Sequence, residues 1–412
     1  MNQSEQKTFV FLNIIGYLGG SQLYTLRKMR WLRSLGWKVV VIGIDSENLR
    51  IPEFDEFVCN DYPFLGIPAY LFSRKARDKY CTEIIRKCGL RGHVFFQSHS
   101  RNFATWAELL AERTYGIHVC HLLEEEFGKT ADVVLALMRF KLSQNALWGI
   151  YEKSIPNLLG KSDQTRGRAL MPAEMPEGAV VDCSPVVIPK SSADYKILIL
   201  GRCSKPYVRV ALKSSVEFAH RHCDKKIAIY MMGTSEEKAR SLRFDQIIST
   251  SPNLEVFWLE PVFPLPRGIF KIADVCLAAT GSAQVACSEK CLCISIDVDD
   301  NMAIGLVGIT TKNTLFRVDE PAAPIEDLLE AVLVSKLYKR SDIEVPDFGL
   351  DYAAHAKLLE LPVPSGYYDF DCCRLNVNER CRSLVLRWLG VSGYFCLIKM
   401  KRWVCFVRNR MV

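Results

Sequence analysis

The sequence predicts an α/β fold of two doubly wound, Rossmann-like halves, each a parallel sheet covered by helices on both faces, followed by a basic C-terminal extension. Three observations predict it. Short apolar runs rich in β-branched and aromatic residues alternate with helix-compatible stretches, the arrangement that buries a parallel sheet. The alternation fades across residues 160–195, which are rich in Pro, Gly, Ser and charge, and then starts again. At 412 residues the chain also exceeds the ~250–300 at which a single core stops growing. The expected division is a first half over 1–185, a second over 186–365 and an extension over 366–412.

Residues 8–15 (TFVFLNII) are short and largely apolar and predict a buried strand. Gly16, Gly19 and Gly20 follow. Leu23, Leu26, Met29, Leu32 and Leu35 then recur every three residues with basic residues between them, predicting a helix that Gly36 stops. KVVVIGID (38–45) and HVFFQS (93–98) are strands. NFATWAELLAERTYG (102–116) is a helix capped by Asn102, with Phe103, Trp106 and Leu110 on one face, and IHVCHLL (117–123) is a strand. In the second half YKILILGR, KKIAIYMMG, NLEVFWL, ADVCLAA and CLCISIDV read as strands, and VALKSSVEFAHRH and EPAAPIEDLLEAVLVSK as helices. Two such halves set a cleft at the carboxyl ends of two sheets, where ligands of these folds bind.

Composition narrows the class. Half the residues are apolar and a quarter charged, which excludes wholesale disorder. The sixteen cysteines are mostly scattered, form no CxxC pair, and follow a polar start (MNQSEQKT), so a reduced, cytosolic protein with buried thiols is expected. Cys287, Cys291 and Cys293 have no nearby histidine and run into a strand, which argues against zinc. The net charge of +7 is local: eight Lys/Arg and no acid follow Glu379, leaving residues 1–379 at about −1.

Several strand ends carry candidate site residues. The glycines after the first strand do not fit the GxGxxG spacing of a dinucleotide fingerprint, and Asp45 ending the second strand is weak support for one. Gly19 and Gly20 still open a helix, whose N-terminus offers N–H groups to an anion; a plain tight turn is the alternative. LILGRCSKPY puts Gly201, Arg202 and Lys205 at a strand end, suited to a diphosphate or simply solvated. Gly233 follows another strand, and Gly281 and Ser282 open a turn after ADVCLAA. Glu289, late in the next helix, is either a sugar-hydroxyl acceptor or a surface charge. Asp297 and Asp299 form a DxD pair that would hold a metal only in another layout.

The order of GGSQ, a histidine ending a mid-domain strand, GR…K, MMG, NLEVFWLEPV, IADVCLAA and a Glu-bearing helix resembles the bacterial glycosyltransferases of the GT-B fold. The resemblance covers roughly residues 8–330 and is nearest to the retaining, family 4-like enzymes of capsule, exopolysaccharide and lipopolysaccharide assembly. It implies that Gly19 and Gly20 face the donor diphosphate and acceptor, that Arg202 and Lys205 neutralise the diphosphate, and that Glu289 binds the donor ribose. His121 matches a cleft histidine near the transferred sugar, and His99 is a second histidine lining the acceptor side; both also read as hydrogen-bonded strand-end residues. Gly201, Gly233, Gly281 and Ser282 fall in the donor-binding loops, and His121, Arg202 and Lys205 are the implied catalytic set. Members usually carry two glutamates eight positions apart; Glu289 fits the second and Gly281 stands at the first. The lysine is unusually close to its arginine, and Arg209 is an alternative to Lys205.

The implied activity is metal-independent hexosyl transfer with retention, from a nucleotide-diphosphate sugar to a glycan or lipid-linked acceptor, with that donor as co-substrate and no cofactor. Two other readings stand beside it: a catalytically inactive subunit, supported by Gly281, and a nucleotide-sugar 2-epimerase, a class without a basic aromatic tail. In that tail the apolar stretch Trp388–Ile398 is shorter than the ~20 residues that span a bilayer. Basic and aromatic together, residues 380–412 suit an anionic membrane surface at the inner face of the plasma membrane. The alternative is a C-terminal helix packed back on the first half. Nucleic acid is not expected, since nothing outside the tail is strongly basic.

Overall fold

The computed structural model describes residues 6–14, 19–44, 54, 56–123, 130–160, 178–184, 186–233, 235–249, 251–348 and 352–410. Ile15, Gly16, Asp45 and residues 161–177 of the expected linker lie outside the described residues. The chain divides into two compact units, Met1–Pro172 with Asp351–Val412, and Ala173–Leu350.

The first unit begins with β1 (Thr8–Ile14), α1 (Gly20–Ser34), β2 (Lys38–Ile44), β3 (Val58–Asp61), α2 (Arg74–Cys88), β4 (Val94–Ser98), α3 (Arg101–Thr114), β5 (Ile117–Leu122), α4 (Asp132–Ser143), β6 (Leu147–Gly149) and α5 (Ser154–Leu159). Its six strands are all parallel in the order β3-β2-β1-β4-β5-β6. Successive side chains of β1 point to opposite faces. Phe9 and Phe11 enter one core cluster with Phe95 and Trp37, and Val10 and Leu12 enter the other with Trp106 and Leu110. Both faces are apolar, which is why the strand reads as a continuous run. Phe103, Trp106 and Leu110 are buried as their spacing predicts. Asn102 is not the cap of α3: Ser100 holds that position, and the Asn102 amide donates instead to the Gly66 carbonyl at 2.9 Å.

The second unit contains β7 (Val180–Val181), β8 (Tyr195–Leu200), α6 (Pro206–Arg221), β9 (Ile227–Met232), α7 (Glu236–Ser241), α8 (Asp245–Ile248), β10 (Leu254–Leu259), β11 (Leu265–Pro266), α9 (Arg267–Ile272), β12 (Val275–Ala278), α10 (Thr280–Ser288), β13 (Cys293–Ile296), β14 (Ala303–Leu306) and α11 (Ile325–Leu329), which runs on as a π-turn over Glu330–Val334. Its sheet repeats the first, β10-β9-β8-β12-β13-β14, with the edge strand β14 antiparallel to β13. Cys276, Cys287, Cys291 and Cys293 are buried within this core, as expected of reduced thiols, and burial pushes the Cys291 thiol up to about 12.

The chain then returns to the first unit through α12 (Tyr352–Leu358) and α13 (Val377–Arg410). The expected boundaries at 185/186 and 365/366 therefore move. β7 pairs with β11 and draws residues 178–184 into the second unit, while Leu358, Phe370, Leu386 and Tyr394 enter first-unit cores. The residues expected as a separate tail are thus partly packed. Asn376 and Glu379 form a reciprocal capping box at 2.9 Å, and Tyr70 donates to the buried Glu379 carboxylate. α13 breaks at Gly390, whose φ of 66° and ψ of −173° are not helical. Val377–Ile398 is long and apolar enough to cross a membrane by length and composition, a longer segment than Trp388–Ile398.

Candidate functional site

In both sheets the strand order reverses at the middle, between β1 and β4 and between β8 and β12. Loops leaving such a switch point run in opposite directions and open a crevice at the carboxyl edge. Most of the sequence-predicted residues fall there. In the first unit Gly19 and Gly20 follow β1, and His99 follows β4. In the second, Gly201, Arg202 and Lys205 follow β8, Gly281 and Ser282 follow β12, and Gly233 follows the neighbouring β9.

In the second unit, Gly201 and Gly233 are required by close approach. A Cβ on Gly201 would lie 2.3 Å from the Tyr207 hydroxyl oxygen, and one on Gly233, at φ 100°, would lie 3.0 Å from the Gly201 carbonyl oxygen. The backbone then turns at Arg202, whose carbonyl accepts from the Lys205 N–H at 2.9 Å, and Pro206 starts α6. Arg202 is half-buried, and that burial pulls its guanidinium below the usual range against the opposite influence of Tyr207. Two cations and a helix N-terminus in one turn form an anion-binding arrangement. Arg209 does not substitute for Lys205: its guanidinium donates to the Leu242 carbonyl at 3.1 Å and stacks over Phe244.

Glu289 is not brought to this loop. It is the C-cap of α10, nine residues and about 13 Å beyond the helix start that holds Gly281 and Ser282. A crossover helix ends at the opposite edge of the sheet from where it begins. There Glu289 accepts from Arg267 Nε at 2.8 Å, and the same guanidinium holds Asp182. Asp297 of the DxD pair is also engaged: its two oxygens accept from the Asp299 and Arg317 N–H groups at 2.8 and 2.9 Å, closing a turn.

The first unit's site is a buried polar cluster under the carboxyl edge. Gly19 is the N-cap of α1 with φ −168°, extended backbone open to any residue, and its carbonyl accepts from Gln22 and Leu23. The helix it starts is apolar on one face, where Leu26, Met29 and Leu32 are buried, but Gln22, Tyr24, Thr25 and Lys28 are buried as well. Leu35, expected in the apolar series, is 52% exposed at the helix end. Tyr24 and Lys28 reach Gln97 of β4, His99, His121 of β5 and His355 of α12, and none of the six is more than 4% exposed. The rings of His99 and His121 lie 6.2 Å apart, with Tyr24 within 5.6 Å of both.

Lys28 donates to Gln97 Oε1 at 2.6 Å and sits over the Phe9 ring, with no carboxylate partner among the described residues. Burial pushes its amine down to about 7. Burial, with the neighbouring His121 and Lys28, also holds His99 well below its ordinary range, so the imidazole is neutral. A buried network of this kind fixes hydrogen-bond direction at the strand ends. Tyr24, Lys28, Gln97 and His355 were not candidates from sequence. The available signals were three polar residues spaced i, i+1, i+4 beside the leucine series and a glutamine inside FFQS; nothing local marks His355.

No protein-family model and no curated protein matches the chain. Solved structures do. A structure of HepE from Anabaena in complex with UDP and glucose aligns with TM-score 0.58 at 7% identity, covering 86% of this chain and 99% of that one. A glycosyltransferase from Rickettsia africae aligns with TM-score 0.55 at 14% identity over 87% and 95%. The N-terminal domain of a Candida albicans trehalose-6-phosphate phosphatase aligns with TM-score 0.50 at 8% identity over 87% and 98%. At these identities the likeness is one of fold. The chain has the GT-B fold, two Rossmann-like α/β units of the kind found in glycosyltransferases.

Proposed function

We propose, starting from this GT-B fold, that the protein transfers a hexosyl group from a nucleotide-diphosphate sugar to a glycan or lipid-linked acceptor in cell-surface polysaccharide synthesis. The observation that carries the reading is the half-buried Arg202 beside Lys205 and the start of α6, at the switch point of the second sheet. In the transfer, the bond from the sugar C1 to the β-phosphate oxygen breaks, a bond from the acceptor oxygen to C1 forms, and the acceptor proton passes to the departing diphosphate. Arg202 and Lys205 would neutralise the departing diphosphate, a preorganised electrostatic role that needs no metal. His99 and His121 belong to the acceptor-side unit in this reading, and the transfer proceeds with retention.

The buried cation–amide cluster supports a role for His121 through hydrogen bonding, and the pairing of Glu289 with Arg267 removes it from the donor ribose. That last observation also favours a second reading, a subunit that binds a nucleotide sugar without turning it over. Thermal unfolding with UDP, UDP-sugars and GDP-sugars, followed by turnover assays with lipid-linked acceptor, separates the two. Protection with turnover supports the transferase, and protection alone supports the binding subunit. Arg202→Ala is expected to weaken donor protection at least 10-fold; unchanged protection and turnover would remove Arg202 from the donor site.

The cytoplasmic face of an anionic membrane is the proposed location. Leu384, Trp388 and Leu389 on α13 are more than half exposed beside Arg380 and Arg387, while Leu386 and Tyr394 anchor the helix on the first unit. A basic, apolar helix face held in this way suits lying on a lipid surface. Sedimentation with vesicles containing phosphatidylglycerol should fall several-fold in Trp388→Asp with Leu384→Asp; equal recovery would exclude this face.

A further inference from the structure

The buried cluster of the first unit has enough donors and acceptors at measured distances to assign its protons. Gln97 Oε1 accepts from Lys28 Nζ at 2.6 Å, which keeps hydrogens to give whether or not the amine is charged, and the amide nitrogen points the other way, to Tyr24 Oη at 3.2 Å, His99 Nε2 at 2.8 Å and His121 Nδ1 at 3.5 Å. An amide nitrogen has two hydrogens and no lone pair to offer. His99 Nε2 is therefore the acceptor, and the His99 proton is on Nδ1, 3.3 Å from Thr25 Oγ1. The Thr25 hydroxyl hydrogen goes to the Ser21 carbonyl at 2.7 Å, which leaves Oγ1 a lone pair for that proton. The two ends of the imidazole agree.

Tyr24 Oη takes one Gln97 hydrogen and has a single hydrogen to give. Two ring nitrogens face it, His121 Nδ1 at 3.2 Å and His355 Nδ1 at 3.5 Å. Only one can accept. The shorter contact makes His121 Nδ1 the acceptor and His355 Nδ1–H a donor to the phenol oxygen. Tyr24 is then held by Gln97 from the strand side and by His355 from α12, the first helix after the chain returns from the second unit. Trp31 of α1 backs the arrangement, lying 5.3 Å from the Tyr352 ring and 6.4 Å from the His355 ring.

We infer that the two site histidines stand in opposite tautomers, His99 with its proton on Nδ1, set by Gln97 and Thr25, and His121 with its proton on Nε2, set by Tyr24 and Gln97. The consequence for the chemistry rests on the proposed function: a His121 Nε2 that carries a proton does not serve as a general base. The assignment of the protons stands apart from it.

Long-range 1H–15N spectra of the full chain labelled with 15N-histidine read each tautomer directly, without substrate. The expected result at pH 7.5 is Nδ1–H for His99 and Nε2–H for His121, each identified by its loss in a single-histidine variant. Tyr24→Phe removes only the hydroxyl. His121 Nδ1 then still faces the Gln97 amide nitrogen at 3.5 Å, so a mixed His121 tautomer is expected only in Tyr24→Phe with Gln97→Leu, where His99 also loses its fixed Nδ1–H. His355→Leu removes the other nitrogen that competes for the Tyr24 hydrogen and should leave His121 with Nε2–H. An Nδ1–H signal for His121 in the unaltered chain, or a His121 pattern unmoved in Tyr24→Phe with Gln97→Leu, would overturn the inference. Absence of sugar transfer would bear on the proposed function only.

Discussion

Two clusters in the first unit bury a lysine together with histidine, and they solve the charge differently. In one, Lys141, at 3.0 Å, and His118, at 2.7 Å, share the Glu108 carboxylate, and the Tyr368 N–H, also at 3.0 Å, supplies a further bond to it. In the other, Lys28 meets an amide oxygen and an aromatic face, with three histidines beyond them. Burial alone would raise the Glu108 carboxyl, but His118, Lys141 and Tyr368 overcome it and hold the group at about 2. Burial lowers His118 to about 4, so the imidazole is neutral and donates from Nδ1. The first cluster is a closed ion pair that fastens α3, β5, α4 and the returning C-terminal segment to one another. The second carries an uncompensated amine beneath the strand ends, where a ligand of this fold binds. Charge balance marks the fastening; the second cluster has no carboxylate on its lysine among the described residues.

Glu108→Gln should break this contrast most strongly. It leaves Lys141 buried beside a neutral amide, and a loss of roughly 3–5 kcal/mol in denaturant unfolding is expected. If the variant does not fold, Glu108→Gln with Lys141→Met should recover much of that loss, because no buried charge is left alone. The same triad sets an acid limit. His118 and Glu108 both have folded values below their unfolded ones, so the unfolded chain takes up protons first. Stability present above pH 6.5 is expected to fall toward pH 4 as His118 is protonated, and again between pH 4.5 and 2 with Glu108. Urea midpoints from pH 7 to 4 that do not move would show that this pairing does not govern acid stability.

A smaller and opposite effect sharpens the second half of the comparison. The folded value of Lys28, about 7, lies below the ordinary 10.5, so between those values the unfolded chain holds the proton that the folded chain gives up. The contribution is therefore full above pH 10.5 and lost as pH falls through about 7. Lys28→Met removes this slope while leaving Gln97 Oε1 without its donor, at a cost of about 1–3 kcal/mol. At pH 7 the net change is expected to be a gain of ~1–3 kcal/mol, and the stability difference between variant and unaltered chain should shrink as pH rises to 10. Parallel pH profiles would show that the amine has a compensating partner.

Much of the fold was legible because its signals are local. β1, β2, β4, β5, β8, β9 and β12 fall within a residue or two of the apolar runs that predicted them, since a strand buried on both faces must be apolar throughout, and the half-buried edge strand β10 falls on its run as well. Candidate residues at strand ends were equally legible wherever the switch-point topology settles what a strand end faces, as for Gly201 with Arg202. Glu289 was misread because its spacing from Gly281 says nothing about which end of α10 each occupies. Asn102 was misread because its amide found a carbonyl in another loop.

By itself, the sequence determined two α/β units, the glycine and cation turns at the carboxyl edge of the second sheet, and a C-terminus whose charge is all positive. Periodicity, β-branching and composition act over a few residues, so they survive without knowledge of the fold. Only the tertiary structure decided that residues 351–412 belong to the first unit and that Tyr24 meets His355, 331 positions away. A buried phenol can be satisfied by any donor or acceptor the fold delivers, and sequence neighbours do not reveal which one arrives. The opposite tautomers inferred for His99 and His121 likewise depend on Gln97 of β4 and Tyr24 and Thr25 of α1 arriving together.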